Sequence, residues 1–191
     1  MNRIVLIAIA SLLCLTPSIG AAEKKIYVQE TMIVAPDTYA ELVEESPLIV
    51  RVRVSAAHVR GVAAKPDAIP NVFTEYKATV TNVFRGTLKE GVEISFVQRA
   101  GEYEEETRIT RVEDAIPLET DREYIVFLRY VPAMKVYTLV AEREAAFQIR
   151  HGVIVPQGTS EIAEDRRDMK ADTFVSELQR TIIRRPAKAA Q

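Results

Sequence analysis

The sequence predicts a mainly β protein: an antiparallel sheet with a short helix ahead of it and an amphipathic helix behind it. Three stretches carry that expectation. Val72 to Val97 reads as two β-runs joined by the connection Arg85 to Gly91. Tyr76, Ala78 and Val80 alternate with Glu75, Lys77 and Thr79, and Val92, Ile94 and Phe96 alternate with Glu93 and Ser95. That period turns one set towards a core and the other towards water. Leu48 to Val54 repeats it, with Leu48, Val50, Val52 and Val54 on one face and Arg51 and Arg53 on the other. At the far end, Phe174, Val175, Leu178 and Ile182 recur at helical spacing within 172–185. Asp172 is the candidate cap, Pro186 stops the helix, and Arg184 and Arg185 suit the negative end of its dipole.

The chain opens on a leader. Met1-Asn2-Arg3 is a short positive start, Ile4 to Leu15 is apolar, and Gly20-Ala21-Ala22 supplies the small residues a signal peptidase reads. The apolar run is about a dozen residues long, short of the ~20 that span a bilayer. Residues 1–22 are therefore expected to be a signal peptide cut near Ala22; a retained membrane anchor is the alternative. Leu13 stands where lipoprotein processing at Cys14 would want a small residue. The mature chain, periplasmic or secreted, then holds no cysteine, hence no disulfide, and no transmembrane segment. The whole sequence carries 25 basic against 27 acidic side chains. Nucleic-acid binding requires a basic face, so no nucleic-acid partner is expected. Residues 23–185 are expected as one domain and 186–191 as a disordered tail.

Between these landmarks, Ile26–Val28 or Met32–Val34 reads as a short edge strand. Thr38 and Glu41 have the spacing of a capping box. The helix they open, with Tyr39, Leu42 and Val43 apolar, should end at Ser46-Pro47. Ala56 to Asn71, with Pro66 and Pro70, is expected to be a connection. So is the charge-rich stretch Arg99 to Glu119, closed by the apolar clip Ile116-Pro117-Leu118. Glu123 to Val131 is apolar on both faces, the mark of a central or sandwiched strand. Pro132 to Lys135 turns it into Val136 to Ala141, and Ala146–Ile149 with Val153–Val155 forms a last hairpin. Gly152 suits the positive φ of its reversal.

The succession of Ser46-Pro47-Leu48-Ile49-Val50, Thr74-Glu75-Tyr76, Val80 to Gly86, Ile94 to Gln98, Glu123 to Leu128, Phe147-Gln148-Ile149 and Gly152-Val153-Ile154 resembles a widespread group of exported bacterial proteins of uncharacterised function. The resemblance spans Thr38 to Gln157 and rests on order and spacing, not on any single motif. It implies an OB-like antiparallel barrel of five to six strands, akin to the tissue inhibitors of metalloproteinases and netrin-like modules. Residues 23–185 would be that barrel with its C-terminal helix, 172–185. The animal inhibitors chelate zinc through an N-terminal cysteine. A chain that matures near Glu23 without cysteine cannot do so, and no residue here inherits that mechanism. Nor does a fold settle a function.

Catalytic chemistry finds little footing. There is no G-x-S-x-G elbow and no mature cysteine. His58 and His151 are the only imidazoles, and both are expected on surface loops or strand ends. Two separated histidines fit no zinc pattern. Glu102, Glu104, Glu105 and Glu106 could offer oxygens to calcium, but consecutive acids diverge and lack the loop glycine of an EF-hand. No metal and no cofactor is expected. Arg51 and Arg53 could form a binding stripe; a solvated outer face is the simpler account. What remains is Tyr103 with Arg108 and Arg111 in the charged loop, residue types enriched at interface hot spots. The expectation is an exported, non-enzymatic module that binds a protein in the cell envelope or outside the cell through Tyr103, Arg108 and Arg111, its oligomeric state open. The alternatives are a hydrolase using loop carboxylates, Glu102 with Asp114, and a structural envelope protein without a discrete ligand.

Overall fold

The computed structural model describes residues 24–29, 36–63, 65, 68–113 and 116–186. The expected leader 1–22, Met32–Val34, Pro66, Asp114 and the tail beyond Pro186 lie outside the described residues. In chain order the first half comprises β1 (Lys25–Gln29), α1 (Tyr39–Glu44), β2 (Leu48–Val62), β3 (Asn71–Arg85), β4 (Glu93–Gln98), β5 (Glu102–Glu104) and β6 (Arg108–Val112). The second half comprises β7 (Glu123–Val131), β8 (Val136–Leu139), a 3-10 turn (Glu142–Ala145), β9 (Ala146–Arg150), β10 (Val153–Pro156), α2 (Glu161–Glu164) and α3 (Ala171–Arg184).

The protein is mainly β, and its large sheet closes in part on itself. The strands run β10-β9-β7-β2-β3-β4-β8, and β8 pairs back onto β7. β7 shares out its second edge. Glu123–Val126 takes β9, and Leu128–Val131 takes β8. The ring is therefore β2-β3-β4-β8-β7, and one of its pairings, β4 with β8, is parallel. This corrects the all-antiparallel expectation, and the reason is topological. A closed ring with an odd number of strands cannot alternate direction all the way round.

β7 bears out its two-sided apolar reading. Tyr124, Val126 and Leu128 stand opposite Val52, Val50 and Leu48 of β2; alternation turns Ile125 and Phe127 to the other side. All five residues of Tyr124–Leu128 are fully buried. On that second side Phe127 meets Tyr39 of α1 and Phe147 of β9, and Phe147 meets Phe174 of α3, with ring centroids 6.1, 5.6 and 5.1 Å apart. Such offset and edge-on arrangements are the favoured ones. A layer of helices and the β9–β10 hairpin thus covers the outside of the ring at β7.

Local signals place the helices. The Thr38 hydroxyl accepts from the Glu41 amide, as the expected cap requires, while the Glu41 carboxylate reaches one residue further back than a capping box does and accepts from the Asp37 amide. α3 begins at Ala171, one residue before the expected start, and its N-cap position is Lys170 with no side-chain cap bond. Asp172 lies inside the first turn instead, where its charge still faces the positive end of the dipole. Phe174 and Leu178 are buried and Val175 and Ile182 pack partly against the core. α2, capped by Ser160, was not anticipated; four residues are too few to show a helical period. At the β9–β10 reversal both His151 and Gly152 adopt positive φ, 51° and 78°, between the paired residues Arg150 and Val153. That is the two-residue turn whose twist suits a hairpin.

Two expected connections contain strands. β2 does not stop at Val54: Ala56–Val62 pairs with Lys77–Asn71. Ser55 to His58 are exposed, so backbone pairing rather than burial holds this stretch, and alternation could not reveal it. Arg99–Glu119 likewise contains β5 and β6, which form a separate three-stranded sheet in the order β1-β6-β5. The apolar clip is corrected too. Leu118 is buried, but Ile116 is 61% exposed, and the segment is tied down by polar bonds.

Those bonds close one end of the ring. The Tyr76 hydroxyl donates to Gln98 Oε1 (3.0 Å) and accepts from the Leu118 amide (2.9 Å). The Tyr124 hydroxyl accepts from the Glu119 amide (2.9 Å) and from Gln148 Nε2 (3.4 Å). Burial pushes the Tyr76 phenol up to about 12, against the Leu118 hydrogen bond, which lowers it. The opposite end is closed by a cation. The Arg85 guanidinium donates to the carbonyls of Val43, in the last turn of α1, and Ser46, just after it, and to that of Arg185 behind α3. One arginine thereby serves the negative ends of two helices.

Two expectations follow. Because the folded state holds Tyr76 neutral, its contribution is complete below the unfolded tyrosine pKa of about 10. It is lost as pH rises through about 12, a loss on the order of 3 kcal/mol. Urea midpoints measured against pH, beside tyrosinate absorbance, should show this fall, and Tyr76→Phe should make it shallower, Tyr39 and Tyr124, whose pKa values burial also raises, supplying the rest. Arg85→Met should cost about 1–3 kcal/mol through the loss of its charge-assisted bonds to the Val43, Ser46 and Arg185 carbonyls. Arg85→Lys should recover less than half, since an ammonium cannot reproduce the planar fork.

Candidate interaction surface

The small sheet carries all three residues singled out in the sequence. β5 and β6 pair Glu102 with Arg111, Tyr103 with Thr110 and Glu104 with Ile109; β1 lies parallel to β6, pairing Ile26 with Ile109 and Val28 with Arg111. Residues directly opposite share a face, so Tyr103, Arg108, Thr110 and Val112 face the barrel, with Tyr27 and Gln29. Lys24, Ile26, Val28, Glu102, Glu104, Ile109 and Arg111 face outwards.

The three candidates are thus split. Tyr103 lies flat against β2: a Cβ added at Gly61 would come within 2.4 Å of its ring carbons, so glycine is what permits the approach. Gly101, at φ 102°, makes the matching close approach to Val59 and Thr74. Arg108 pairs with Glu105 and is largely covered. Arg111 alone stands on the outer face, held to Glu102 at 2.6 Å. Gln29 ties β1 to the barrel, its amide nitrogen donating to the Pro70 carbonyl (2.8 Å) and its carbonyl oxygen accepting from the Val72 amide (3.4 Å).

Three of the four loop glutamates take a cation instead of converging. Glu102 pairs with Arg111, Glu104 with Lys24 and Glu105 with Arg108. Among the described residues no group of three or more histidine, cysteine or acidic side chains is placed to hold a metal ion. His58 is exposed on β2 and His151 is exposed in its turn. Arg51 and Arg53 both bond Glu123, whose carboxyl those two guanidinium bonds hold below the usual range despite partial burial. They form a salt-bridged outer face, as the simpler reading had it.

Two carboxylates escaped the sequence reading. Glu144 is buried, accepting from the Thr159 amide (2.9 Å), the Ser160 amide (3.2 Å) and the Ser160 hydroxyl (2.6 Å). Glu142, at φ 48°, accepts from the Arg99 amide at 3.0 Å, and burial raises its pKa against that bond. Both carboxylates pin loops. Only a tertiary fold brings residues 99, 159 and 160 to the 3-10 turn, so no local signal could have flagged them.

What the outer face leaves uncovered is apolar. Ile26 is 63% exposed and Val28 55% exposed, side by side on the terminal strand. The sequence offered Ile26–Val28 as an edge strand without marking it as a site. No protein-family model matches the chain, and no curated protein shows a significant match. Among the described residues no helix is long and apolar enough to cross a membrane.

Tyr103→Ala should therefore cost stability, about 1–2 kcal/mol for its half-buried ring, whereas Arg111→Ala should stay within ~0.5 kcal/mol. Urea unfolding of the two variants separates a packing residue from a surface one.

Proposed function

We propose that the protein is an exported, non-enzymatic interaction module that binds a protein partner in the cell envelope or outside the cell. The leader-like Met1–Ala22 supports export. The ring order, first-second-third-fifth-fourth by position among its own strands, supports an OB-type Greek-key barrel and, with it, the likeness to inhibitor and netrin-like modules. The contact surface is the outer face and free edge of the small sheet. One observation carries this: two large apolar side chains, Ile26 and Val28, stand outward on a terminal strand. Ion pairs rim them, Lys24 with Glu104 on one side and Arg111 with Glu102 on the other. An apolar centre inside a polar rim is the anatomy of a recognition patch. Tyr103 and Arg108 act as its support, not its contact, since both face the barrel.

Affinity capture from envelope and culture fluid tests this with three baits: the native protein, Val28→Lys and Met134→Lys. Met134 is exposed on the β7–β8 turn, away from the small sheet. A partner retained by the native and Met134→Lys baits, and reduced at least ten-fold on Val28→Lys, is the expected result. Equal recovery on all three would remove the small sheet from the proposal. No partner on any bait would remove the module itself.

A further inference from the structure

Sheet edges invite pairing, and this protein treats its edges unequally. β10, one end of the large sheet, is covered by the chain that follows it. Val153 bridges to Lys170, the Ile154 amide donates to the Met169 carbonyl, and the Asp168 amide donates to Ile154. β5 is only three residues long and carries Glu102 and Glu104. β1 is less protected: it runs five residues with one charged side chain, Lys25, and among the described residues nothing pairs with its outer edge.

Which of its backbone groups are unpaired can be derived. The Lys25 amide donates to Thr107, and the Gln29 carbonyl accepts from Glu113; both residues therefore aim their backbone groups along β6. Alternation gives Tyr27 the same direction and turns the amides and carbonyls of Ile26 and Val28 outwards. The residues with free backbone groups are thus the two with exposed apolar side chains.

We infer that the partner of this edge is a second copy of the chain, joined β1 to β1 in antiparallel register about a two-fold axis at Tyr27. This rests on the reading of the small sheet as the contact surface and names its occupant. The strand is self-complementary in that register. Ile26 of one copy stands opposite Val28 of the other, and these two exchange reciprocal backbone hydrogen bonds. Lys25 stands opposite Gln29, so no like charges meet. On the outer face, Ile109 and Ile26 of one copy continue into Val28 of the other, a stripe bounded by the ion pairs already present. The interface is isologous, as closed symmetric dimers require, and joins the two small sheets into one continuous sheet with a barrel at each end. A contact of two short strands is small, so association should be concentration-dependent, with Kd on the order of micromolar.

Sedimentation equilibrium of the purified protein, its N-terminus verified by intact mass, tests the pairing. Native protein should pass from monomer to dimer as concentration rises. Val28→Pro removes one outward amide while leaving the β6 ladder intact, and should weaken the dimer at least ten-fold with the circular dichroism spectrum retained. Cross-linking tests the register independently of that variant. In a Cys14→Ser background, Tyr27→Cys should oxidise to a disulfide dimer, since its symmetry mates lie about 4.5 Å apart at the Cα atoms. Ile26→Cys alone should not. A protein that stays monomeric, a dimer indifferent to Val28→Pro, or cross-linking by Ile26→Cys but not Tyr27→Cys would each overturn the inference. A monomer that still captures a different protein through Val28 would overturn the self-pairing alone and leave the interaction module standing.

Discussion

Strand β7 hands Tyr124, Val126 and Leu128 to the inside of the ring and Ile125 and Phe127 to the layer of helices outside it. All five side chains are fully buried. At about 1.5–3 kcal/mol each, their burial is worth on the order of 10 kcal/mol, which is comparable to the entire net stability of a typical domain. The same strand also provides three of the sheet's pairings, to β2, β8 and β9. Closure of the ring and docking of the helices therefore depend on one apolar segment. A charge placed at any of those five positions would be buried without a partner and would disrupt both layers together.

The ends of the ring are closed by opposite kinds of chemistry. Beside β7's start, tyrosine hydroxyls and glutamine amides hold the 116–119 segment through hydrogen bonds in a buried setting, where an unmade bond is expensive. Beside its end, Arg85 gathers carbonyls at the ends of α1 and α3. Each device answers the same constraint: backbone groups that leave regular structure inside a protein need a partner. The polar end bonds a loop that has no ladder of its own, and the cationic end bonds helix termini that have run out of ladder.

The small sheet is a projection from this body, not part of it. It is anchored through close approaches at Gly61 and Gly101, through Tyr103, and through the amide of Gln29, and its other face is left to solvent. An anchored sheet with an uncovered edge keeps its outward groups in fixed geometry. A partner then need not bear the cost of ordering them. Anchoring of that kind suits a short strand such as β1 to the proposed contact despite its size.

Much of the architecture was legible in the residues. Alternation at Tyr76–Val80 and Leu48–Val54, the two-sided run at Tyr124–Leu128, the Thr38 cap and the Phe174–Leu178 stripe all state locally which face is buried. The site was less legible. Tyr103 has the composition of a contact residue, yet it packs on Gly61, forty-two positions earlier in the chain. Ile26 and Val28 read as an ordinary edge strand until their exposure and their partner β6 were known. The sequence by itself determined the periods, and through them the facing of each side chain within its own element. Only the tertiary structure decided that Lys25 pairs with Arg108, that β4 and β8 run parallel, and which edge remains open. Periodicity is a property of neighbours, whereas register and closure are properties of the whole ring.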